Sequence, residues 1–309
     1  MLKIKTVDAE LIKNGTSYLV SDNKLTGTSL EVLSFMASGI KKRTGSDYSD
    51  GRPGKINYHS EDEYRTITLT VQATAEDIHD ITHLRDAVNE LFDGELMLRE
   101  MRIKSVEVEY ESMGQRTGEL QLEAPEYVNG KQIKVTMVNS PEIDDTTLVS
   151  TFTVEFETTE SPYFETIYTT LELHDSGYSA TAEKYGLVDN IDDEKVKYRF
   201  TESNFTVYNA GNVTVEPESM YLRIISSEVT SSNNFTIRNK TTGDEFVLKR
   251  ESNGSHVRLI GMVASMGSIT NIFRDTNRRF IRLAPGDNEF EILNGTFAQI
   301  SIDFKNYYK

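Results

Sequence analysis

The 309-residue chain has no cysteine and no tryptophan, and only 6 prolines and 5 histidines. Without cysteine there is no disulfide framework, no thiolate nucleophile and no cysteine-based zinc site, and the simplest compartment for its synthesis is a reducing cytosol. Long apolar runs are missing as well. No stretch approaches the roughly 18 apolar residues that a membrane helix needs, so no membrane insertion is expected. The opening MLKIKTVDAELIKNGTSYLV alternates and carries charges throughout, unlike the apolar core of a secretory signal. The Asn-x-Ser/Thr triplets starting at Asn14, Asn204, Asn212, Asn234, Asn239, Asn253 and Asn294 therefore read as products of an Asn- and Thr-rich composition. Nucleotide and nucleophile signatures (GxGxxG, GxxxxGK followed by Ser or Thr, GxSxG) are absent.

Positive charge is also scarce. There are 33 Lys and Arg against 49 Asp and Glu, a formal net charge of −16. From Phe200 to Lys309 the two signs balance at 12 each, so Met1–Arg199 carries 21 basic and 37 acidic residues and the entire excess. Such a region repels phosphate backbones and disfavours direct nucleic-acid binding. The asymmetry also points to two domains of different purpose.

What remains is enough to build cores. Hydrophobic residues make up 37%, with 15 Tyr and 14 Phe, and the length is about twice that of a common domain. Period-two alternation fills the first half: Ile67/Leu69/Val71, Val106/Val108/Tyr110, Ile133/Val135/Met137 and Phe152/Val154/Phe156 each put apolar residues on one sheet face. Asn129-Gly130, between Leu120–Ala124 and Gln132–Val138, predicts a hairpin turn. One segment changes period. Ile78, Ile81, Leu84, Val88 and Leu91 recur at spacings of three and four, with Thr74 as cap and Gly94 as stop, predicting a helix over 75–92. Short strands return after Phe200, at Phe205–Tyr208, Tyr221–Ile225, Phe235–Arg238, Phe246–Leu248, Val257–Ile260, Phe280–Leu283, Phe290–Leu293 and Ile300–Phe304. Turn signals at Thr242-Gly243-Asp244 and Pro285-Gly286-Asp287-Asn288 punctuate them, as in a β-sandwich or jelly roll. The expected organisation is an N-terminal β-domain over 1–165 with one packed helix, a connector or arm over 166–199, and a sandwich over 200–309.

Candidates for chemistry are few. His79 and His83 stand at i and i+4, but the motif is HDITH, with Asp80 where a zinc protease has Glu, and both fall opposite the apolar stripe. They read as a solvated helix face. Gly51-Arg52-Pro53-Gly54-Lys55 lacks phosphate-loop spacing and reads as an exposed hairpin loop. Asp189, Asp192, Asp193 and Glu194 could gather a hard cation, but their spacing fits no EF-hand and a solvated run is the simpler reading. No spacing singles out a carboxylate pair for glycoside hydrolysis. No catalytic residue, metal ligand or cofactor is therefore assigned, and the chain is not expected to be an enzyme.

The order of features along the chain resembles the distal tail protein (Dit) of siphophages. The resemblance rests on Ser38-Gly39-Ile40, the basic Gly-rich loop and Tyr64-Arg65-Thr66-Ile67-Thr68-Leu69, with an amphipathic helix directly after. It continues through Phe152–Phe156 into Ser161-Pro162-Tyr163-Phe164, then Asn209-Ala210-Gly211-Asn212, Thr241-Thr242-Gly243-Asp244, Leu283-Ala284-Pro285-Gly286-Asp287-Asn288 and a last strand over Ile300–Tyr308. The resemblance implies an N-terminal domain that closes into a homohexameric ring and a galectin- or carbohydrate-binding-module-like sandwich outside it. It implies a hub at the tail tip of the virion between tail tube protein and baseplate or receptor-binding proteins, with DNA passing through unbound. An adhesin whose C-terminal sandwich binds a carbohydrate or receptor is the alternative.

Overall fold

A computed structural model describes residues 7–48, 51, 53–103, 127–144, 146–186, 189–269 and 271–309. The chain is mainly β and divides into two units, Met1–Pro162 and Tyr163–Lys309.

The first unit contains β1 (Val7–Lys13), β2 (Thr16–Leu19), β3 (Leu30–Ala37), β4 (Lys41–Tyr48), β5 (Lys55–Tyr64), β6 (Thr66–Thr74), α1 (Ile81–Phe92), β7 (Glu95–Ile103), β8 (Tyr127–Val128), β9 (Lys131–Met137) and β10 (Val149–Thr158). Its sheet runs β2-β1-β7-β9-β10-β6-β3, and β3 returns close to β1, so the sheet curls toward a barrel. The predicted alternation sets the register. Ile67, Leu69 and Val71 face Phe156, Val154 and Phe152 across the β6–β10 ladder, and all six are buried. β1 and β2 meet through Asn14-Gly15, with φ of 51° and 77°. Both central residues of a two-residue type I′ turn need positive φ, which Asn and Gly tolerate best.

Two expectations in this unit are corrected. The helix begins at Ile81, not at residue 75. Thr74 still pairs with Val149, and the Ala75 amide donates to the Leu148 carbonyl at 2.9 Å, so the sheet ladder holds the backbone extended. A 3₁₀ turn over Ile78–Asp80 follows, capped by Asp77, and it leaves Ile78 61% exposed. From Ile81 onward the stripe is as expected: Ile81, Leu84, Val88, Leu91 and Phe92 are buried, and the Phe92 ring meets Phe156 edge-on at 6.1 Å. The second correction concerns Asn129-Gly130. β8 and β9 both pair with the same strand, β7, and the partner sum slips by one between Arg102↔Val128 and Leu98↔Ile133. The pair is a bulge within one strand line and not a hairpin turn. Val106, Val108, Tyr110 and Leu120–Ala124 lie outside the described residues.

The second unit contains β11 (Phe164–Thr166), α2 (Thr170–Ser176), α3 (Tyr178–Tyr185), β12 (Arg199–Phe200), β13 (Asn204–Asn209), β14 (Leu222–Ser231), β15 (Phe235–Asn239), β16 (Asp244–Leu248), β17 (Ser252–Ile260), β18 (Val263–Met266), β19 (Gly286–Leu293), β20 (Gln299–Phe304) and β21 (Tyr307–Tyr308). One sheet runs β12-β20-β14-β17-β18 and the other β13-β19-β15-β16. Their inward residues, among them Ile224, Val257, Phe235, Phe246 and Phe290, share one core, which makes the unit a β-sandwich.

Residues 166–199, expected as a connector, are packed into this unit. Tyr168, Leu173 and Tyr198 belong to the sandwich core. The Thr170 hydroxyl accepts from the Phe304 amide at 3.0 Å, and the Leu171 amide donates to Asp303 at 3.1 Å. The hydroxyls of Tyr198, Tyr208 and Tyr308 donate to the carbonyls of Tyr208, Asn190 and Asp189. Gly177, at φ 82°, ends α2 and lets α3 start in a new direction. Loose apolar periodicity hid these helices, because their fully buried residues are only Thr170, Leu173 and Thr181.

The expected strand at Phe280–Leu283 does not form. Only Leu283 bridges, to Val215. The segment is held instead by buried asparagines. Asn239 donates to the Arg282 carbonyl at 2.8 Å and to Asn288 Oδ1 at 3.1 Å. Asn288 donates to the carbonyls of Ala284 and Gly286 and accepts from the Ala284 amide at 2.8 Å. Asn209 donates to the carbonyls of Val213 and Leu283 and accepts from Gly211. Asp244 adds a bidentate grip on Arg282 at 3.0 Å. Burial opposes ionisation of Asp244, but Arg282, Thr242 and a backbone amide outweigh it and hold the carboxyl below its usual range.

Two expectations follow. A fragment starting at Tyr163 should unfold cooperatively on heating, whereas one starting at Glu194, which omits Tyr168 and Leu173, should melt well below it; equal melting temperatures would contradict this account. Asn288→Ala orphans several buried groups at once, and urea denaturation should show a loss of roughly 3 kcal/mol or more, the upper end for one orphaned group.

Candidate assembly interface

Edges are where a sheet can still bond, because their N–H and C=O groups have no neighbour inside the chain. In the first unit β3 ends the strand order. Its register against β6 slips between Val32 and Ser34, so Leu33 is bulged outward and 38% exposed, and Met36 is 56% exposed further along. Apolar side chains on a sheet margin are costly in a monomer and useful in a contact.

Directly after β3, β4 and β5 form a two-stranded sheet of their own. An isolated hairpin is marginal in water. This one carries an ion ladder, Lys42–Asp62 at 3.3 Å and Arg43–Glu61 at 2.6 Å, with Lys41 donating to the Tyr64 hydroxyl. The guanidinium of Arg43 holds Glu61 below the usual carboxylate range. The Arg43–Glu61 pair is exposed on both sides, and such pairs contribute little stability. Gly45 stands opposite His59, and a Cβ there would run into the imidazole. Tyr58 is 66% exposed. A long, charged, weakly supported hairpin joined to an apolar edge is suited to a neighbour that completes it. Gly51 and Lys55 of the basic Gly-rich stretch lie at its tip, while Arg52 is outside the described residues.

His79 and His83 are both exposed, the first in the 3₁₀ turn and the second in α1. Asp192 spends its carboxylate on the Glu194 amide at 3.1 Å, and Asp189 is engaged through its carbonyl. Among the described residues no three His, Asp or Glu come together as a metal site. Beside this run the second unit has an open groove of about 560 Å³, with Lys195, Lys197, Glu202, Tyr208 and Asp287 on its walls and Phe200 and Phe205 stacked at 4.2 Å beneath. Lys195 is paired to Asp287 at 2.8 Å. The hairpin was expected from its Gly-rich loop, whereas the β3 edge was not singled out by sequence, because Leu33 and Met36 lie in a largely apolar run that gives no sign of exposure.

No family model matches the sequence, and no curated protein does. Among solved structures the chain is similar to the Dit (gp 19.1) protein of SPP1, described as a paradigm of hub adsorption apparatus in phages infecting Gram-positive hosts, with 11% identity, a TM-score of 0.60 and coverage of 97% of this chain and 99% of that one. Chains of the phage p2 baseplate in its activated conformation, with Sr and with Ca, are similar at 9% and 10% identity, TM-scores of 0.41 and 0.42, and coverage of 97% of this chain and 98% of theirs. The chain thus has a Dit-like fold over nearly its whole length.

Replacing both His79 and His83 by Ala should change stability by less than about 0.5 kcal/mol, as for exposed positions without special roles. Elemental analysis of the purified protein should find no stoichiometric zinc; zinc lost on substitution would reverse this reading.

Proposed function

We propose that the chain is a structural protein of a phage tail, a homohexameric hub at the distal end of the tail that joins the tail tube to baseplate and receptor-binding proteins. The observation that carries this reading is the whole-chain fold match, which takes in both units and leaves almost nothing of either chain uncovered. The exposed β3 edge and the hairpin after it support self-assembly through the first unit, one protomer continuing the sheet of the next. A head-to-tail contact of this kind closes when its rotation divides a full turn. The acidic excess supports a conduit for DNA, since a basic wall would hold the phosphate backbone through counterion release. At physiological salt that repulsion reaches only about 8 Å from the wall, enough to keep DNA centred. The reading contains no catalytic step. It places the protein in the virion tail after synthesis in the host cytoplasm.

The groove of about 560 Å³ on the second unit favours one other reading, an adhesin that holds a carbohydrate there. Its rings, Phe200 and Phe205, are buried, which weakens it as a stacking platform.

Electron microscopy of the purified chain should show six-fold rings whose inner wall maps to residues before about Phe164 and is lined with acidic side chains. Met36→Asp should abolish the rings while leaving a cooperative melting transition. Rings built around the sandwich, a basic channel, or a strict monomer with glycan affinity at every concentration would each overturn the hub.

A further inference from the structure

The most unusual surface of the second unit is a loop that concentrates unpaired cations. Residues 271–280 run beside β16. Thr276 bridges Leu248, the Lys249 amide donates to the Asp275 carbonyl at 2.7 Å, and the Asn277 amide donates to Val247 at 3.0 Å. The Asn277 side chain closes the same seam twice, donating to the Glu245 carbonyl at 2.7 Å and accepting from the Val247 amide at 3.1 Å. Phe273 and Phe280 stack at 6.1 Å across the base of the loop. The result is a rigid display of Lys249, Arg250, Arg274, Arg278 and Arg279, all exposed. Only Arg250 has a carboxylate partner, Asp275 at 3.3 Å; among the described residues the other four have none.

Two features say that this display is built and not incidental. Arg278 sits at φ 60°, a left-handed conformation that a long L side chain adopts at a cost, and the bonds from its own amide to Thr276 and from Arg279 to Asn277 hold it there. Many cations elsewhere in the unit are matched to carboxylates, Lys195 with Asp287, Arg238 with Glu245 and Glu291, Arg282 with Asp244 and Lys305 with Glu165, while Arg223 and Arg258 donate to the Tyr221 hydroxyl and the Gly267 carbonyl. Four like charges held together repel one another unless something anionic covers them.

The anionic counterpart is on the first unit. Glu76, Asp77, Asp80, Glu90 and Asp93 are exposed along the approach to α1 and its solvent side; among the described residues no cation forms an ion pair with their carboxylates, and Lys13 reaches only the Glu90 carbonyl, at 2.9 Å. Ile78 lies among them, 61% exposed. Carboxylates suit the planar fork of arginine, and Ile78 offers apolar area to the Phe273–Phe280 pair. We infer that the Lys249/Arg274/Arg278/Arg279 loop of one copy docks on the acidic side of α1 in a second copy. A long phosphate polymer fits less well, because it must also approach a chain carrying −16.

The test uses the full-length chain as an equal mixture of light and ¹⁵N-labelled protein, treated with a carbodiimide that joins amines to carboxylates at zero length. Mass spectrometry should find mixed-isotope links from Lys249 to Asp77, Asp80, Glu90 or Asp93. Raising salt from about 0.05 to 0.5 M, which shortens the screening length about threefold, should cut them roughly tenfold. The R274E/R278E/R279E variant should lose them while keeping its melting temperature. Mixing it with a D77K/D80K/E90K variant should restore association that neither shows alone. Rings are counted separately by microscopy, so loss of the links with rings intact, or the reverse, tells this contact apart from the hub. Links confined to one isotope, links unchanged in the reversed variant, or a variant whose only loss is binding to polyphosphate would each overturn the inference.

Discussion

A buried peptide group that finds no partner is among the costliest things a fold can contain, and the sandwich of this chain is organised around that constraint. Three irregular segments, 210–213, 240–243 and 277–285, pass along its margin between the strands. Asn209, Asn239 and Asn288 answer them one for one, each with no exposed surface, and each giving both donors and acceptors to loop backbone. Asparagine is the side chain for this work because it mimics a peptide group at both ends. Because Asn239 and Asn288 bond each other, the loops lock as a set.

The first unit depends less on buried polar groups and more on register. Its β6–β10 ladder brings three apolar pairs face to face, and α1 covers them through Phe92. What it leaves over is telling. The bulge at Leu33 turns the last strand outward, and the hairpin beyond has charge for solubility but little apolar support. The unit thus combines a complete core with an incomplete margin.

Much of this was legible in the sequence. Alternation located β6, β9, β10 and most strands of the sandwich, because period-two burial leaves a direct trace in residue order. The errors share a cause: local signals overridden by partners distant in the chain. Thr74 looks like a helix cap, but Val149 holds it in a ladder. Asn129-Gly130 looks like a hairpin turn, but both its flanks pair with β7. Phe280–Leu283 alternates like a strand, but asparagines from β13 and β15 capture its backbone. The assembly margin was hardest to see, since exposure of Leu33 and Met36 is a property of topology and has no signature in composition.

One detail of the sandwich bears on how such a chain can change over time. β11 and β21 pair antiparallel, Phe164 with Tyr308 and Glu165 with Tyr307, so the unit's first and last residues lie side by side. A module whose two ends meet behaves as a cassette. It can be exchanged, enlarged or circularly permuted through a single seam. On the hub reading proposed above, a module of this kind can diversify while the strands of the first unit stay as they are.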